Sequence, residues 1–541
     1  MPSLRTVRRA TDAWLTARRA VVSSVSSIVM VSLVAATPAS PFHPVLPEQG
    51  GGPIGLLAHL IWLDRIPRGW LIALGVVAMA SAGIAFLLVL RACELGIISL
   101  RTVAILTIAY AVVILLLPLL LSRDVFSYAY YGRIVSRYNG NPYANPPSNY
   151  PANDLSKYVW PGWRSTPSVY GAVFVWVSAA ITSMFHSLTQ TIFAFRALAV
   201  GAMLGSVWFV AKLVQQVRPS KTAYAVAFIG LNPVVLFHTL GGGHVDALVM
   251  LSLAAAAYLA ATKRELPATA ALTLGALVKV SAAVPLVLLI IYVVARAAPE
   301  RRRRVAATHI GMAAGIGLLV SLPFLTRANP TLGMLQFVQH ASWIAPPELM
   351  EHTFQALGQL IGGSMGGTVG VVIARATMYS CLAVGLFLIA KQVARKAPTH
   401  DFLYLATVWG WALLLMMFFS PTLFAWYFCW VLPVAWALPR VPRRTLEISF
   451  LALVTSQLTT ENFQLPGWIH VQLPIGHPVL IVLLVWFLRD LWLRLRHDVA
   501  LDADVDVVAL SRASKGKQPL AIPDAEPLAE SGSAAAEPYQ A

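Results

Sequence analysis

The chain is short of charge. Only 12% of its 541 residues are Asp, Glu, Lys or Arg, while 58% are hydrophobic; a soluble domain carries about twice that charged share. Acid is scarcer than base, with 23 carboxylates against 40 Lys and Arg. The basic excess forms no nucleic-acid signature. Lys and Arg sit in short clusters between apolar runs, the pattern by which membrane proteins set their orientation. Cysteine is nearly absent: Cys93, Cys381 and Cys429 show no metal or disulfide spacing and read as core thiols. There is also no phosphate loop and no dinucleotide fingerprint, which removes the usual nucleotide-binding signatures.

In place of charge there are apolar runs near twenty residues, the length at which a helix crosses a bilayer. They do not alternate apolar and polar as barrel strands do. The chain reads as an all-α polytopic membrane protein with extracytoplasmic juxtamembrane helices. About fourteen spans are expected, at 21–36, 70–90, 103–121, 191–212, 224–240, 245–261, 269–280, 282–294, 305–325, 368–389, 402–419, 426–438, 446–459 and 479–495. The first reads as an uncleaved helix rather than a signal peptide. One further run, 169–185, decides the orientation. If it stays at the outer surface or re-enters, every basic cluster falls on the inside: Lys212 to Lys221, Lys263-Arg264, Arg301 to Arg304, Lys391 to Lys396 and Arg440 to Arg444. Both termini are then cytoplasmic and the protein sits in the cell membrane. The expected organisation is a membrane domain, 1–497, and a disordered cytoplasmic tail, 498–541. No internal repeat is evident, which weakens a transporter reading.

On this map the polar load gathers outside. The stretch 121–174 follows an apolar run, opens with Arg123-Asp124 and is rich in Tyr, Asn, Pro and Trp. An ionisable residue at a membrane boundary is a functional suspect. Asp124 either anchors a helix end, paired with Arg123 or Lys157, or accepts a proton from a hydroxyl in a partly dry cleft lined by Tyr128. Gly241-Gly242-Gly243-His244-Val245-Asp246 offers a sharp bend that brings His244 and Asp246 either to a substrate or to a helix cap; no complete metal-ligand set accompanies them. Lys279, inside an apolar run, either snorkels or holds a phosphate. Arg327, His340 and His352 are weaker candidates for that task. Trp160, Trp163, Trp343, Trp426 and Tyr427 read mainly as an interfacial belt, with one or two free to stack on sugar rings.

Five blocks in order now carry a resemblance: 122–128 (SRDVFSY), 163–176 (WRSTPSVYGAVFVW), 232–248 (NPVVLFHTLGGGHVDAL), 278–285 with Lys279, and 421–430 with Trp426-Tyr427. The chain resembles the GT-C class of membrane glycosyltransferases. More narrowly, it is similar to the polyprenyl-phosphomannose-dependent α-1,6-mannosyltransferases that extend actinobacterial lipoglycans. It departs from their usual pattern at Ala172, Ala425 and Val245. The resemblance implies inverting transfer of mannose from a polyprenyl-phosphate-mannose donor to a glycan or glycolipid acceptor on the extracytoplasmic side. Asp124 would be the base, with Lys279, Arg123 and Arg327 near the donor phosphate. Tyr128, Trp163, Tyr170, His244, Asp246, His340, Trp426 and Tyr427 would contact substrate. The resemblance names no definite cofactor and leaves assistance by a divalent cation open. The rival readings are a transferase of another lipid-linked sugar (glucose or arabinose), a lipid or glycan transporter, and a non-enzymatic scaffold.

Overall fold

A computed structural model describes residues 4–44, 62–325, 332–333, 345–420, 423–454 and 476–504. The regular elements among them are helical. In chain order the longer ones are α1 (Leu4–Ala36), α2 (Arg68–Glu94), α3 (Leu100–Leu116), α4 (Asp124–Ser136), α5 (Ala172–Met184), α6 (Leu188–Val217), α7 (Thr222–Gly230), α8 (Asp246–Ala261), α9 (Glu265–Ala276), α10 (Ala283–Arg296), α11 (Arg302–Ser321), α12 (Pro346–Lys396), α13 (Phe402–Phe418), α14 (Arg440–Val454) and α15 (Gly476–Arg496).

Local chemistry places the ends. Ser99 caps α3 by accepting from Thr102 N at 3.2 Å, Ser187 caps α6 from Gln190 N at 3.2 Å, and Asp401 caps α13 from Leu403 N at 2.9 Å. The span expected at 103–121 stops early, at Leu116, because Pro118 forces Leu117 into an extended conformation. The span expected at 426–438 is not an α-helix. It forms two 3₁₀ segments, Ala425–Trp430 and Leu432–Ala437; Pro433 has no N–H with which to continue an α-helical ladder through this point. The run 224–240 becomes α7 and a π-helical turn, Val234–Leu240, bent by 41°.

Five helices among the described residues are long and apolar enough to cross a membrane, six if that bent pair is one span, and shorter apolar helices of 10–17 residues accompany them. The chain is an all-α membrane protein by these helices, and the count of fourteen goes beyond them. α5 has 13 residues, about 20 Å of helix, which is less than the roughly 30 Å of hydrocarbon. It packs along α4. α12 is broken at Gly362 and Gly363, and its two arms fold against each other: a side chain on Gly358 would lie 2.1 Å from the Gly366 carbonyl.

Two other expectations shift. Cys93 and Cys429 are buried as core thiols, but Cys381 is exposed on α12. Residues 498–504, expected in a disordered tail, pack on the helices. Gln392 donates to the Val499 carbonyl at 2.9 Å, Trp411 donates to that of Leu501 at 3.2 Å, and both Val499 and Leu501 are buried. The rest of the tail lies outside the described residues.

Candidate functional site

Four stretches far apart in sequence meet at the start of α4. The first is the link 117–123. Leu121 N donates to the Phe42 carbonyl at 2.8 Å and Leu120 N to that of Gly241 at 3.0 Å. Leu121 takes φ +62°, an uncommon conformation for a side-chain-bearing residue. Ser122 Oγ then accepts from Asp124 N at 3.2 Å, and α4 begins with Asp124 at its head.

The second stretch is the glycine turn before α8. Asn232 Oδ1 accepts from Val234 N at 2.9 Å and starts the π-helical turn; such turns concentrate at functional sites. Gly243 follows with φ +68°, and a side chain on Gly241 would lie 2.2 Å from the Phe237 carbonyl. Only glycine suits this path. It brings both His244 and Asp246 into the protein, with 0% and 1% of their side chains exposed. The bend thus does what a helix could not, and His244 is not the partner of Asp246. Its Nδ1 lies 3.6 Å from Asp124 Oδ2 and 3.3 Å from the Tyr128 hydroxyl.

The third stretch carries Lys279 in the turn between α9 and α10. The loop before α5 is fastened to it: Gly171 N and Val173 N donate to the Val278 and Leu277 carbonyls, both at 3.0 Å. Lys279 Nζ reaches Asp246 Oδ1 at 2.8 Å and lies 3.9 Å from the centre of the Tyr427 ring.

The fourth is the aromatic 3₁₀ segment. Trp426 lies flat on His244 with ring centres 3.7 Å apart, and Phe424 stacks on Trp426 at 4.6 Å. Trp430 Nε1 donates to Asp246 Oδ1 at 2.7 Å, and Cys429 Sγ to the Asp246 carbonyl at 3.3 Å. Trp426 and Tyr427 are therefore buried parts of the site, with 4% and 3% exposure, and do not form an interfacial belt.

The electrostatics separate two carboxylates. Asp246 is held by Lys279 and Trp430. Asp124 keeps 21% side-chain exposure, and burial pushes its carboxyl up to about 7, with Lys279 pulling it down and Asp246 pushing it up. Burial also holds the His244 imidazole well below its ordinary range, with Lys279 and His238 adding to the effect. His244 is thus neutral beside a carboxyl poised near neutral pH.

The structure brings together Asp124, Tyr128, Tyr170, His244, Asp246, Lys279, Trp426 and Tyr427; the Tyr128 and Tyr170 rings meet edge to face at 5.1 Å. Arg123 does not pair with Asp124: its Nε donates to the Pro44 carbonyl at 2.7 Å. Lys157 lies over the Tyr158 ring. Trp163 is half-buried on the single turn Pro161–Arg164 and packs against the same hydrophobic core. Arg327, His340 and Trp343 lie outside the described residues. Among the described residues no group of three His, Cys, Asp or Glu stands as metal ligands.

Two residues join the site without having been singled out. Trp430 closes the fifth block. Arg196, buried in α6, donates to the Leu117 carbonyl at 2.6 Å and to that of Ile114, which ties down the end of α3 just before Asp124. A lone charge inside an apolar run marks it, as it marks Lys279.

Known proteins resemble this chain over part of its length. α-(1→6)-Mannopyranosyltransferase A of Mycobacterium tuberculosis is 27% identical over 360 residues, 64% of this chain and 68% of the relative. The enzyme of the same name from Corynebacterium glutamicum is 27% identical over 31% of this chain and 34% of its own length. α-(1→6)-Mannopyranosyltransferase B of C. glutamicum is 26% identical over 26% of the chain and 24% of its own length. No solved structure matches. The profile described as "Alpha-(1->6)-mannopyranosyltransferase, N-terminal domain" matches residues 25–296, half of the chain. That match takes in Asp124, the glycine turn and Lys279, while the aromatic segment 424–430 lies beyond it, and the chain belongs to the α-(1→6)-mannopyranosyltransferase family of glycosyltransferases.

Proposed function

We propose that the chain moves mannose from a polyprenyl-phosphate-mannose donor to a hydroxyl of a glycan or glycolipid acceptor, with inversion, forming an α-1,6 linkage on the extracytoplasmic side. The observation that carries the reading is the meeting of a partly exposed carboxyl, Asp124, with a cation, Lys279, from a separate block. Asp124 takes the acceptor's hydroxyl proton as that oxygen attacks the anomeric carbon, and the bond from this carbon to the phosphate oxygen breaks. A carboxyl near 7 is matched to this task, since a general base works best with a pKa near the operating pH.

Lys279 supports the leaving phosphate. An ammonium has three donors; one is used on Asp246, and the side chain keeps 12% exposure. The remaining donors are available to a phosphate oxygen, and the surrounding rings lower the local dielectric and strengthen the attraction. Asp246 acts through Lys279 rather than on substrate, because it is buried.

The test is mannose transfer by purified, monodisperse protein from a polyprenyl-phosphomannose donor. Transfer by wild type and its loss by about a hundredfold in Asp124→Asn are expected. Absence of transfer by the wild-type protein, or transfer of glucose or arabinose in preference, overturns the reading.

A further inference from the structure

We propose that His244 is a positioning residue that sets the orientation of Asp124 through its Nδ1, with Trp426 holding the imidazole in place. The inference rests on the assignment of Asp124 as the base and goes beyond it.

The geometry comes from three contacts. The imidazole is fully buried and lies on Trp426, with ring centres 3.7 Å apart and 17° between planes, so it cannot turn freely. Trp426 is itself backed by Phe424 at an interplanar angle of 5°. On the other side of the turn, a side chain on Gly242 would lie 2.9 Å from His244 Cδ2 and Nε2. The ring therefore occupies a slot between an indole and the glycine backbone. Only its Nδ1 edge faces polar groups: Asp124 Oδ2 at 3.6 Å and the Tyr128 hydroxyl at 3.3 Å.

The tautomer follows from the other nitrogen. Nε2 is buried and has no hydrogen-bond partner. A buried lone pair is better tolerated than a buried orphan N–H, so the proton belongs on Nδ1. The Nδ1–H then has two acceptors in competition. At 3.6 Å the Asp124 contact is too long to be a hydrogen bond, and catalytic contacts commonly close only when substrate is bound. Small movement of the Asp124 carboxylate towards Nδ1 exchanges the Tyr128 contact for a charge-assisted one. This fixes one oxygen of Asp124 and leaves the other for the acceptor hydroxyl. His244 takes no proton in this scheme.

The groups facing Asp124 are Tyr128 and Tyr131 from its own helix, Tyr170 from the loop before α5, His244 and Asp246 from the glycine turn and α8, and Lys279 from the α9–α10 turn. Of these, Lys279 is already paired with Asp246 and the Tyr131 hydroxyl donates to the Thr166 carbonyl, whereas His244 Nδ1 is held in place by the stack on Trp426.

Substitutions at this position separate the two ring nitrogens. Asn places an amide where Nδ1 stood, Gln places one where Nε2 stood, and Phe keeps the stack on Trp426 without any donor. With purified protein and a polyprenyl-phosphomannose donor, His244→Phe is expected to lower kcat by on the order of tenfold to a hundredfold with an unchanged KM for donor. The acid limb of its pH profile should move to higher pH, because a lost donor disfavours the carboxylate. His244→Asn should recover most of the loss and His244→Gln little of it. Trp426→Leu, which frees the ring, should lower kcat like His244→Phe. Equal activity of the Asn and Gln variants, or a folded Phe variant with the wild-type kcat and pH midpoint, overturns the proposal. If wild type itself transfers no mannose, the reading of the function fails instead.

Discussion

Lys279 and Asp246, 33 residues apart, form a 2.8 Å ion pair in which the carboxylate side chain is 1% exposed and the ammonium 12%. A charge pair this deep is held by geometry. Breaking it leaves an uncompensated buried charge, whereas removing both members together is far less costly.

This pair changes what is expected of Lys279→Gln. Sequence alone predicts that the change weakens donor use far more than folding. With Asp246 left unpaired, the variant should also lose stability, on the order of 3–5 kcal/mol for a buried pair. Lys279→Met combined with Asp246→Leu should recover much of that stability and none of the donor affinity. Thermal unfolding in detergent and donor titration of the same samples separate the two effects. Normal donor affinity in the double variant would reduce Lys279 to a structural residue.

The pH dependence of activity and that of stability should run in opposite directions through Asp124. Burial raises its folded carboxyl to about 7, above the range of an unperturbed Asp. A base must be deprotonated, so kcat/KM should rise with pH and level off above about 7. Between about 4 and 7 the folded protein holds a proton that the unfolded chain has released, so this group makes folding less favourable as pH rises through that window. Asp124→Asn should flatten the activity profile and remove this component from the stability profile. An unaltered pH–rate profile in a residually active Asn variant would count against the base assignment.

Gly171→Ala tests the seam between the second and fourth blocks. The added methyl would lie 2.1 Å from the Leu277 carbonyl, a fixed backbone atom next to the Lys279 turn. A loss of about 1–3 kcal/mol is expected from the forced shift, with lower donor affinity because Lys279 moves. Gly69→Ala, where nothing lies within 4 Å, is the control. Equal unfolding midpoints for the two variants would show that the loop is not tightly fastened.

Sidedness needs probes that leave ion pairs intact. Asp154 is a poor reporter, because it binds the buried guanidinium of Arg133. Ser148 is exposed on the same loop, and Arg302 is exposed at the start of α11. With the exposed native thiol removed as Cys381→Ser, an impermeant reagent should label Ser148→Cys and not Arg302→Cys in intact cells. The reverse pattern would invert the orientation drawn from the basic clusters.

The apolar runs determined by themselves that this is a helical membrane protein, because twenty apolar residues have few other stable solutions. Asp124 and Lys279 were also legible, since a charge at the edge of or within such a run stands out against its surroundings. What the sequence could not decide is which polar groups satisfy one another. That Lys279 and Trp430 both meet the Asp246 carboxylate is seen only in three dimensions; Arg123 looks like the partner of Asp124 until the Pro44 carbonyl takes it. Trp426 and Tyr427 have the composition of an interfacial belt, and only the 3₁₀ path of residues 425–430 turns them inward. These outcomes depend on contacts between residues 33 to 184 positions apart. No local periodicity encodes such contacts; they follow from where Pro118, the glycine turn and Pro433 redirect the chain.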